Sequence, residues 1–278
     1  MNKSFSPLSA LALSLGLSAS AQAQLFNELF INPPGTDNGL EFFELSGAAS
    51  QSLDGLTVLA IEGDGTTPGV IDQAISLSGL SLGSNGLFLW RDSATVLSPS
   101  PDAGTAVQTG DFSPDLENGS NTYLLVNGFS GSLAQDLDTN DDGILDLTPW
   151  TSVLDAVGIT ENDGANNRTY LTSVGYSAVN AIAGFNADAL IRVATTGPQG
   201  KQWVYGDVTG SSPGPFLLST EALTLPVYQD GSAVTLPSGA SLTPGSANFA
   251  PVPEPEEYAA MAAGGLVAFA IWRRRQSR

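Results

Sequence analysis

Short apolar runs of strand length, each followed by turn-forming residues, constrain the fold of this chain more than any other feature of the sequence. The runs occupy residues 25–31, 40–45, 56–63, 86–92, 121–128, 152–159, 189–194 and 201–208. Runs of this kind, bounded by Gly, Asn, Asp and Pro, are typical of β-strands. No long stretch between residues 24 and 249 repeats its apolar residues with a helical period. The pattern predicts an all-β fold, an antiparallel sandwich or barrel.

Residues 94–120 are the least regular part of this region, being rich in Ser, Pro, Asp and Gly. Such a composition predicts a long loop that contains one short strand and decorates one end of the sandwich. No internal repeat and no second domain boundary is evident. We therefore expect residues 24–249 to form one β-sandwich region with insertions.

The first 23 residues have the organisation of a secretory signal peptide. Lys3 supplies a positive charge, residues 8–17 form an apolar stretch, and Ala21-Gln22-Ala23 has the small residues of a cleavage site. The alternative is a membrane anchor, but the apolar stretch is shorter than the ~20 residues that a span needs. The sequence predicts an N-terminal signal helix that signal peptidase removes after Ala23.

The chain has no histidine and no cysteine. A Ser–His–Asp triad, a histidine-ligated zinc and a histidine general base are therefore excluded within this chain. Residues 24–250 hold four basic and 25 acidic residues, a net charge of −21. Because this charge repels phosphate backbones, we expect no nucleic-acid partner. Without disulfides, an exported protein depends on burial and on bound ions for its stability.

The stretch DLDTNDDGILD, residues 136–146, places oxygen-bearing side chains at alternate positions. Gly143, the sixth residue from Asp138, permits the sharp turn of an EF-hand-type calcium loop. Pro149 stands at the twelfth position, where an EF-hand has a bidentate Glu, so Asp146 must supply the last carboxylate. The predicted calcium ligands are Asp138, Asn140, Asp142, Ile144 through its backbone carbonyl, and Asp146.

The calcium ion predicted for this loop is structural, with an affinity of about 10⁻⁴–10⁻³ M, as in extracellular modules. The side chain of Ile144 is expected to enter the core. The alternative is a turn without metal, because Asp and Asn side chains readily accept hydrogen bonds from their own backbone. Five acidic residues within 136–146 repel one another, which favours a cation.

Two further groups of side chains are candidates for function or for simple packing. Trp203 and Tyr205 alternate along one strand, so they share a face. If exposed, that face is a possible ligand-binding platform that stacks on sugar rings, whereas the alternative is core packing. Glu41 and Glu44 fall on opposite faces of their strand, so we expect solvated or locally paired carboxylates rather than an acid/base pair.

The opening stretch FNELFINPPGTDNGLEFFEL resembles the start of lamin-tail-like domains, an immunoglobulin-type β-sandwich module. Glu28 on the first strand, the Asn-Pro-Pro turn and the Glu-Phe-Phe-Glu-Leu strand at 41–45 carry the resemblance. Residues 243–248, TPGSAN, resemble the closing stretch of such regions in bacteria. The resemblance implies an immunoglobulin-like antiparallel sandwich. The chain departs from the compact module by an extra segment after Asp92.

The last part of the chain, residues 250–278, combines three features in a fixed order. Pro253, Glu254 and Pro255 come first, then 15 uncharged residues at 258–272, and then a cluster formed by Arg273, Arg274 and Arg275. This order resembles the PEP-CTERM sorting signal of Gram-negative bacteria. The resemblance implies a short C-terminal transmembrane helix, recognition and cutting by an exosortase, and transfer to the cell surface or an exopolysaccharide matrix. The alternative is an ordinary single-span anchor with its positive end in the cytoplasm.

These features predict an exported, non-enzymatic protein of the cell surface or extracellular matrix of a Gram-negative bacterium. It would be anchored transiently in the inner membrane and have an adhesive or scaffolding role, with an extracellular polysaccharide as partner. Two alternatives stay open. One is a secreted carbohydrate-binding module that acts through Trp203, and the other is a metal-dependent hydrolase that uses carboxylates alone.

Overall fold

A computed structural model of the chain describes residues 23–33, 39–94, 100–162, 167–183, 187–209, 217–218, 227–235 and 242–248. Within these ranges the chain is predominantly β, and its helical content is one 3₁₀ turn (Thr172–Val174) and one short helix, α1 (Gln199–Gln202). No described helix is long and apolar enough to cross a membrane. The predicted signal helix and the apolar run at 258–272 lie outside the described residues.

The described strands follow one another along the chain, with connections that range from a single residue to the 24 residues between β7 and β8. They are β1 (Leu25–Phe30), β2 (Phe42–Ser46), β3 (Leu56–Glu62), β4 (Ile71–Ser76), β5 (Leu87–Arg91), β6 (Ala106–Thr109), β7 (Asn121–Asn127), β8 (Ser152–Ile159), β9 (Glu161–Asn162), β10 (Ile182–Ala183), β11 (Ala189–Arg192), β12 (Trp203–Gly206), β13 (Val208–Thr209), β14 (Leu217–Leu218), β15 (Val227–Gln229) and β16 (Ser232–Val234).

Two main sheets are built from these strands. The large sheet has eight strands in the order β16-β15-β12-β11-β1-β2-β5-β6, and the small sheet has four in the order β4-β3-β7-β8. Pairing within them is antiparallel except between β5 and β6. Two further pairs, β9 with β10 and β13 with β14, stand apart from both sheets. The predicted all-β class with two sheets is thereby confirmed.

The two sheets face each other across one apolar core. Phe43 and Leu29 of the large sheet and Val58 and Tyr123 of the small sheet belong to this core, and each is at most 2 % exposed. Neighbouring side chains along a strand point to opposite faces. The alternate residues therefore form two further apolar clusters on the outer faces of the sheets.

Both outer faces are covered by chain from outside the sheets. Leu242 lies over the large sheet, while Leu137 and Leu145 from the predicted calcium loop lie over the small one. Central strands such as β3 and β7 are consequently buried on both sides. This explains why their sequences read as nearly continuous apolar runs rather than as a strict alternation.

A buried ion pair joins the two sheets at β8 and β11. The Arg192 guanidinium is hydrogen-bonded to the Asp155 carboxylate and lies 4.4 Å from the centre of the Trp203 ring. Asp155 also accepts the Phe26 N–H at 2.8 Å, and Arg192 Nε donates to the Phe26 carbonyl oxygen at 2.6 Å. The pairing of β1 with β2 shifts register between Phe26 and Glu28. That irregularity turns the Phe26 backbone groups toward this pair.

Candidate functional site

The calcium-type loop, residues 136–146, is held together by its own acidic side chains. Asp142 Oδ1 accepts the Ile144 N–H at 2.9 Å, and Asn140 Oδ1 accepts the Asp142 N–H at 3.1 Å. Asp146 Oδ2 accepts the Thr139 N–H at 2.9 Å and its hydroxyl at 2.6 Å. These bonds give the loop the tight turn that the Asp, Asn and Gly spacing predicts.

Asp138 is the fully buried centre of the loop. Its Oδ1 accepts the Asp142 N–H at 3.1 Å, and its Oδ2 accepts the Gly143 N–H at 2.9 Å. The Tyr170 hydroxyl donates to Oδ2 at 2.9 Å, and Arg168 Nη1 lies 3.3 Å from the same atom. Burial and the neighbouring Asp138 charge raise the Tyr170 pKa, so its hydroxyl stays a donor. The carboxylate is therefore supplied with a cation by the chain itself.

The five predicted ligands lie in one turn, in which the Asp142 N–H donates to both Asp138 Oδ1 and Asn140 Oδ1. Among the described residues no three carboxylates form a group that could hold a metal ion. The donor chemistry is nevertheless right for calcium, because every predicted ligand offers oxygen. A bound ion would compete with Arg168 for Asp138.

The side chain of Ile144 does not enter the core, contrary to the prediction. It is 60 % exposed, whereas the neighbouring Leu145 is 8 % exposed and packs with Tyr170. The Leu145 N–H bonds to the Ser173 hydroxyl at 3.2 Å and thereby fixes this orientation. The apolar residue that anchors the loop is thus one position later than the EF-hand pattern indicates.

Trp203 and Tyr205 share a face of β12, as their alternation predicts, but that face is the interior. Trp203 is fully buried and Tyr205 is 5 % exposed. Both belong to the core between the sheets, and the Tyr205 hydroxyl donates to the Gly158 carbonyl oxygen at 3.0 Å. These two residues therefore do not form a stacking surface for a sugar ring.

A second site, which the sequence analysis did not identify, lies on the outer face of the large sheet. Glu28 on β1 stands directly opposite Glu44 on β2, and both are completely buried. Residues 242–248, here called the closing segment, cover the two carboxyl groups. Glu28 Oε1 accepts the Thr243 N–H at 2.8 Å, and Glu44 Oε2 accepts the Gly245 N–H at 2.5 Å.

The 101–105 turn and Asn27 complete the contacts of the closing segment. The Gly245 carbonyl oxygen accepts the Asp102 N–H at 2.9 Å and the Thr105 hydroxyl at 2.6 Å. Asn248 exchanges hydrogen bonds with Asn27, one between the two amide groups at 2.8 Å and one to the Asn27 carbonyl at 3.1 Å. Asn27 also donates to Glu44 Oε1 at 2.5 Å. The closing segment is therefore held at three points along its length.

The two buried carboxyl groups have altered acidity. Burial raises the pKa of Glu44 to about 8, although the donors Asn27 and Gly245 lower it and the Asp102 charge raises it further. Burial and the Glu44 charge raise the pKa of Glu28 well above its ordinary value. Two adjacent carboxylates in a site of low polarity cannot both be charged without a large cost, so the pair holds a proton near neutral pH.

Glu41 and Glu44 were expected to be solvated or locally paired, and the solvated alternative is wrong for both. Both are fully buried. Glu44 lies on the outer face of β2, which is covered, and Glu41 lies where the chain enters the sheet. The Glu41 N–H donates to Asp92 Oδ2 at 2.8 Å. The sequence does contain a sign of this site, because Glu28 and Glu44 interrupt apolar strands and the uncharged TPGSAN stretch can cover them. No spacing rule connects segments so far apart, so the sequence alone does not bring them together.

The predicted processing sites are mostly outside the described residues. This applies to Ala21 and to the sorting-signal residues Pro253, Glu254, Pro255, Arg273, Arg274 and Arg275. Ala23 is described and is exposed, two residues before β1 begins. No protein-family model, no curated protein and no solved structure matches this chain.

Proposed function

We propose that this chain is an exported, non-enzymatic protein that an exosortase sorts to the cell surface or extracellular matrix of a Gram-negative bacterium. The carrying observation is the order of its C-terminal sequence: Pro-Glu-Pro at 253–255, an uncharged run at 258–272 and three arginines. The fold supports this proposal, because Asn248 makes its contacts with the large sheet five residues before Pro253. Cleavage near 253–255 would leave every described contact in place.

The N-terminal end supports export in the same way. Signal-peptidase cleavage after Ala23 would leave Gln24 as the first residue, immediately before β1. β1 lies in the middle of the large sheet, between β11 and β2. The mature chain would therefore keep the strand on which the large sheet depends. Between the two cuts the body would carry a large negative charge, which suits a soluble protein outside the cell.

We infer that the two sheets form an immunoglobulin-like sandwich of the lamin-tail-like type. The support is that the two stretches that carry the resemblance contact each other. Glu28 and Glu44 of the opening stretch accept N–H groups of Thr243 and Gly245 in TPGSAN. A structural requirement of this kind gives a physical reason for the two stretches to occur together in one sequence.

The proposed role is adhesion or scaffolding, with an extracellular polysaccharide as partner. What the structure offers is support for the non-catalytic part of this proposal, since buried acidic side chains have structural partners within the chain. Asp138 pairs with Arg168, Asp155 pairs with Arg192, and Glu28 and Glu44 bind backbone N–H groups. Each of these acidic side chains holds one part of the chain to another. Signal peptidase and exosortase are the processing partners that the two terminal sequences imply.

Calcium remains our proposal for residues 136–146, as a structural ion. Asp138, Asn140, Asp142 and Asp146 would supply side-chain oxygens, and Ile144 would supply its carbonyl. When bound, the ion would add positive charge to a loop that carries five acidic residues and one arginine partner. It would reinforce the contacts that pack Leu137 and Leu145 on the small sheet.

Replacement of Glu254 tests the sorting proposal directly. The Glu254→Ala chain is produced in an exosortase-containing Gram-negative host, and its mass and distribution between membrane and surface fractions are compared with the wild type. We expect an uncleaved, membrane-retained product. Glu257→Ala is the matched control, since it removes the same charge three residues later, outside the Pro-Glu-Pro triad. Normal processing of Glu254→Ala, or equal retention of both variants, contradicts the proposal.

A further inference from the structure

We propose that the outer face of the large sheet around Glu28 and Glu44 is a peptide-binding site, and that it also accepts the closing segment of a second copy of this chain. The contacts described above are those of a receptor with a peptide ligand. Two buried carboxyl groups accept backbone N–H groups of the segment. Asn27 forms two hydrogen bonds with the last side chain of the segment, Asn248. Leu242 fills an apolar cluster at the other end of the segment.

The site discriminates between peptide sequences at Gly245. The backbone there has φ +80°, and a Cβ atom at this position would lie 2.4 Å from Pro101 Cβ. A residue with a side chain is therefore excluded both by its conformation and by contact with the 101–105 turn. Asn248 provides the second specific contact, because its amide both accepts from and donates to Asn27.

The closing segment suits this site by its charge as well as its shape. Its sequence, LTPGSAN, has no ionisable side chain. It can therefore cover two carboxyl groups in a protein of strongly negative charge without adding to the repulsion. Two described hydrogen bonds lie within the segment, from the Ser246 N–H to the Thr243 carbonyl oxygen and from the Thr243 hydroxyl to the Ser246 carbonyl oxygen. Its other described bonds go to residues distant in sequence, so the segment is recognised as a short, separate peptide.

The closing segment is covalently linked to the rest of its own chain, and this link favours binding to the site of the same copy. In the sequence, residues 236–241 lie between β16 and the closing segment. Such a link gives the chain's own segment an effective concentration of order millimolar. When the protein concentration approaches this value, the segment of a second copy competes, and exchange of identical segments links two copies. This inference rests on contacts within the described residues and not on the proposed export and sorting.

The test uses the full chain carrying Gly245→Val, purified in mild detergent, and a fluorescent synthetic peptide LTPGSAN. The variant's own segment cannot occupy the site, so we expect the peptide to bind the variant and to raise its melting temperature. The wild type, whose site is filled, should bind at least roughly tenfold more weakly. Ala247→Val is the matched control, because Ala247 is exposed in the same segment. That chain should behave as the wild type.

Failure of the peptide to bind the Gly245→Val chain overturns the proposal. If this variant is unfolded, restoration of its folding by the peptide supports the site and absence of restoration contradicts it. Exchange between copies is tested by refolding the wild type at about 1 µM and about 1 mM and measuring sedimentation. We expect dimers at the higher concentration and none from Gly245→Val at either. An all-monomeric wild type at the higher concentration contradicts the role of the second copy.

Discussion

Glu28 and Glu44 lie opposite each other on adjacent strands, and each accepts a backbone N–H from the same short segment 201 or more residues further along the chain. The start of the folded body is thus fixed to its end by two buried carboxyl groups. A carboxyl group at these positions has two consequences. It supplies acceptors for the closing segment, and it makes the stability of the body depend on pH.

We expect the free energy of unfolding to fall as the pH rises from about 4.5 to about 8. Because the folded pKa of Glu44 is about 8 and its ordinary value is 4.5, the folded state keeps a proton that the unfolded state releases. Its contribution is complete below the ordinary pKa and is lost as the pH passes the folded pKa. Glu28, whose pKa is also raised, changes stability in the same direction. Urea unfolding at several pH values measures this slope.

Glu44→Gln should reduce the slope, since the amide keeps an acceptor for Gly245 but does not titrate. Asp111→Asn is the contrasting control. Asp111 is exposed, and the Ser93 N–H lowers its pKa from 3.8, so it is deprotonated in both states between pH 4.5 and 8 and Asp111→Asn should leave the slope there unchanged. Other acids with raised pKa values, among them Glu62 and Asp155, remain in both variants. An unchanged slope in Glu44→Gln would show that this carboxyl group is not the titrating one.

Arg192→Met should destabilise the protein by about 3–5 kcal/mol, because it leaves the buried Asp155 without its cation. Burial already raises the pKa of Asp155, even with Arg192 beside it. Urea unfolding provides the measurement. Lys201→Met is the control, since Lys201 is half-exposed in its pair with Asp230 and should contribute less than about 1 kcal/mol.

The double variant Asp155→Leu with Arg192→Met separates charge burial from loss of contacts. If the unpaired carboxylate causes most of the loss, the double variant will be more stable than Arg192→Met alone. Equal stabilities would instead assign the loss to the bonds that Arg192 makes with Phe26 and Gln202.

Leu145→Ala should cost about 2–5 kcal/mol, whereas Ile144→Ala should change stability by less than about 0.5 kcal/mol. The two residues are neighbours in the calcium-type loop, but only Leu145 packs on the small sheet. Thermal and urea unfolding of both variants would measure the difference. A greater loss from Ile144→Ala would mean that the loop packs in the orientation first expected from its sequence.

The strands could be predicted where both faces of a sheet are covered. All eight expected runs contain strands, among them β3 and β7, because double burial demands continuous apolar sequence. β4 was missed since IDQAIS mixes polar and apolar residues without an aromatic, and its pairing with β3 determines its structure. The short strand allowed within residues 94–120 is β6, which runs parallel to β5.

The functional interpretation was least successful where it depended on which face of a strand is covered. Alternation correctly places Trp203 and Tyr205 on one side of β12, but it does not distinguish an interior face from an exposed one. For the same reason the sequence predicts a solvated or locally paired carboxylate at Glu44, whereas this residue is fully buried. The chain that covers Glu44 comes from residues 242–248, and neither spacing nor composition relates these residues to β2.

The calcium loop provides the most direct test of an ion in the folded body. With an affinity of about 10⁻⁴–10⁻³ M, calcium at about 10 mM should stabilise the protein by about 1–3 kcal/mol. Chelator should reverse the change in melting temperature, and Asp138→Asn should remove it. Asp141→Asn is the matched control, because Asp141 lies in the same loop but outside the predicted ligand set. No response of the wild type to calcium or chelator would exclude the ion.

Arg168 determines how large this response should be. Its guanidinium lies 3.3 Å from Asp138 Oδ2. It therefore supplies this carboxylate with the positive charge that a bound calcium ion would otherwise bring. Arg168→Met should therefore lower the melting temperature without calcium and increase the rise that calcium produces. Because the methionine keeps an apolar stem of similar length, the difference reports the charge more than the packing. Equal calcium responses in the variant and the wild type would mean that the arginine and the ion do not share Asp138.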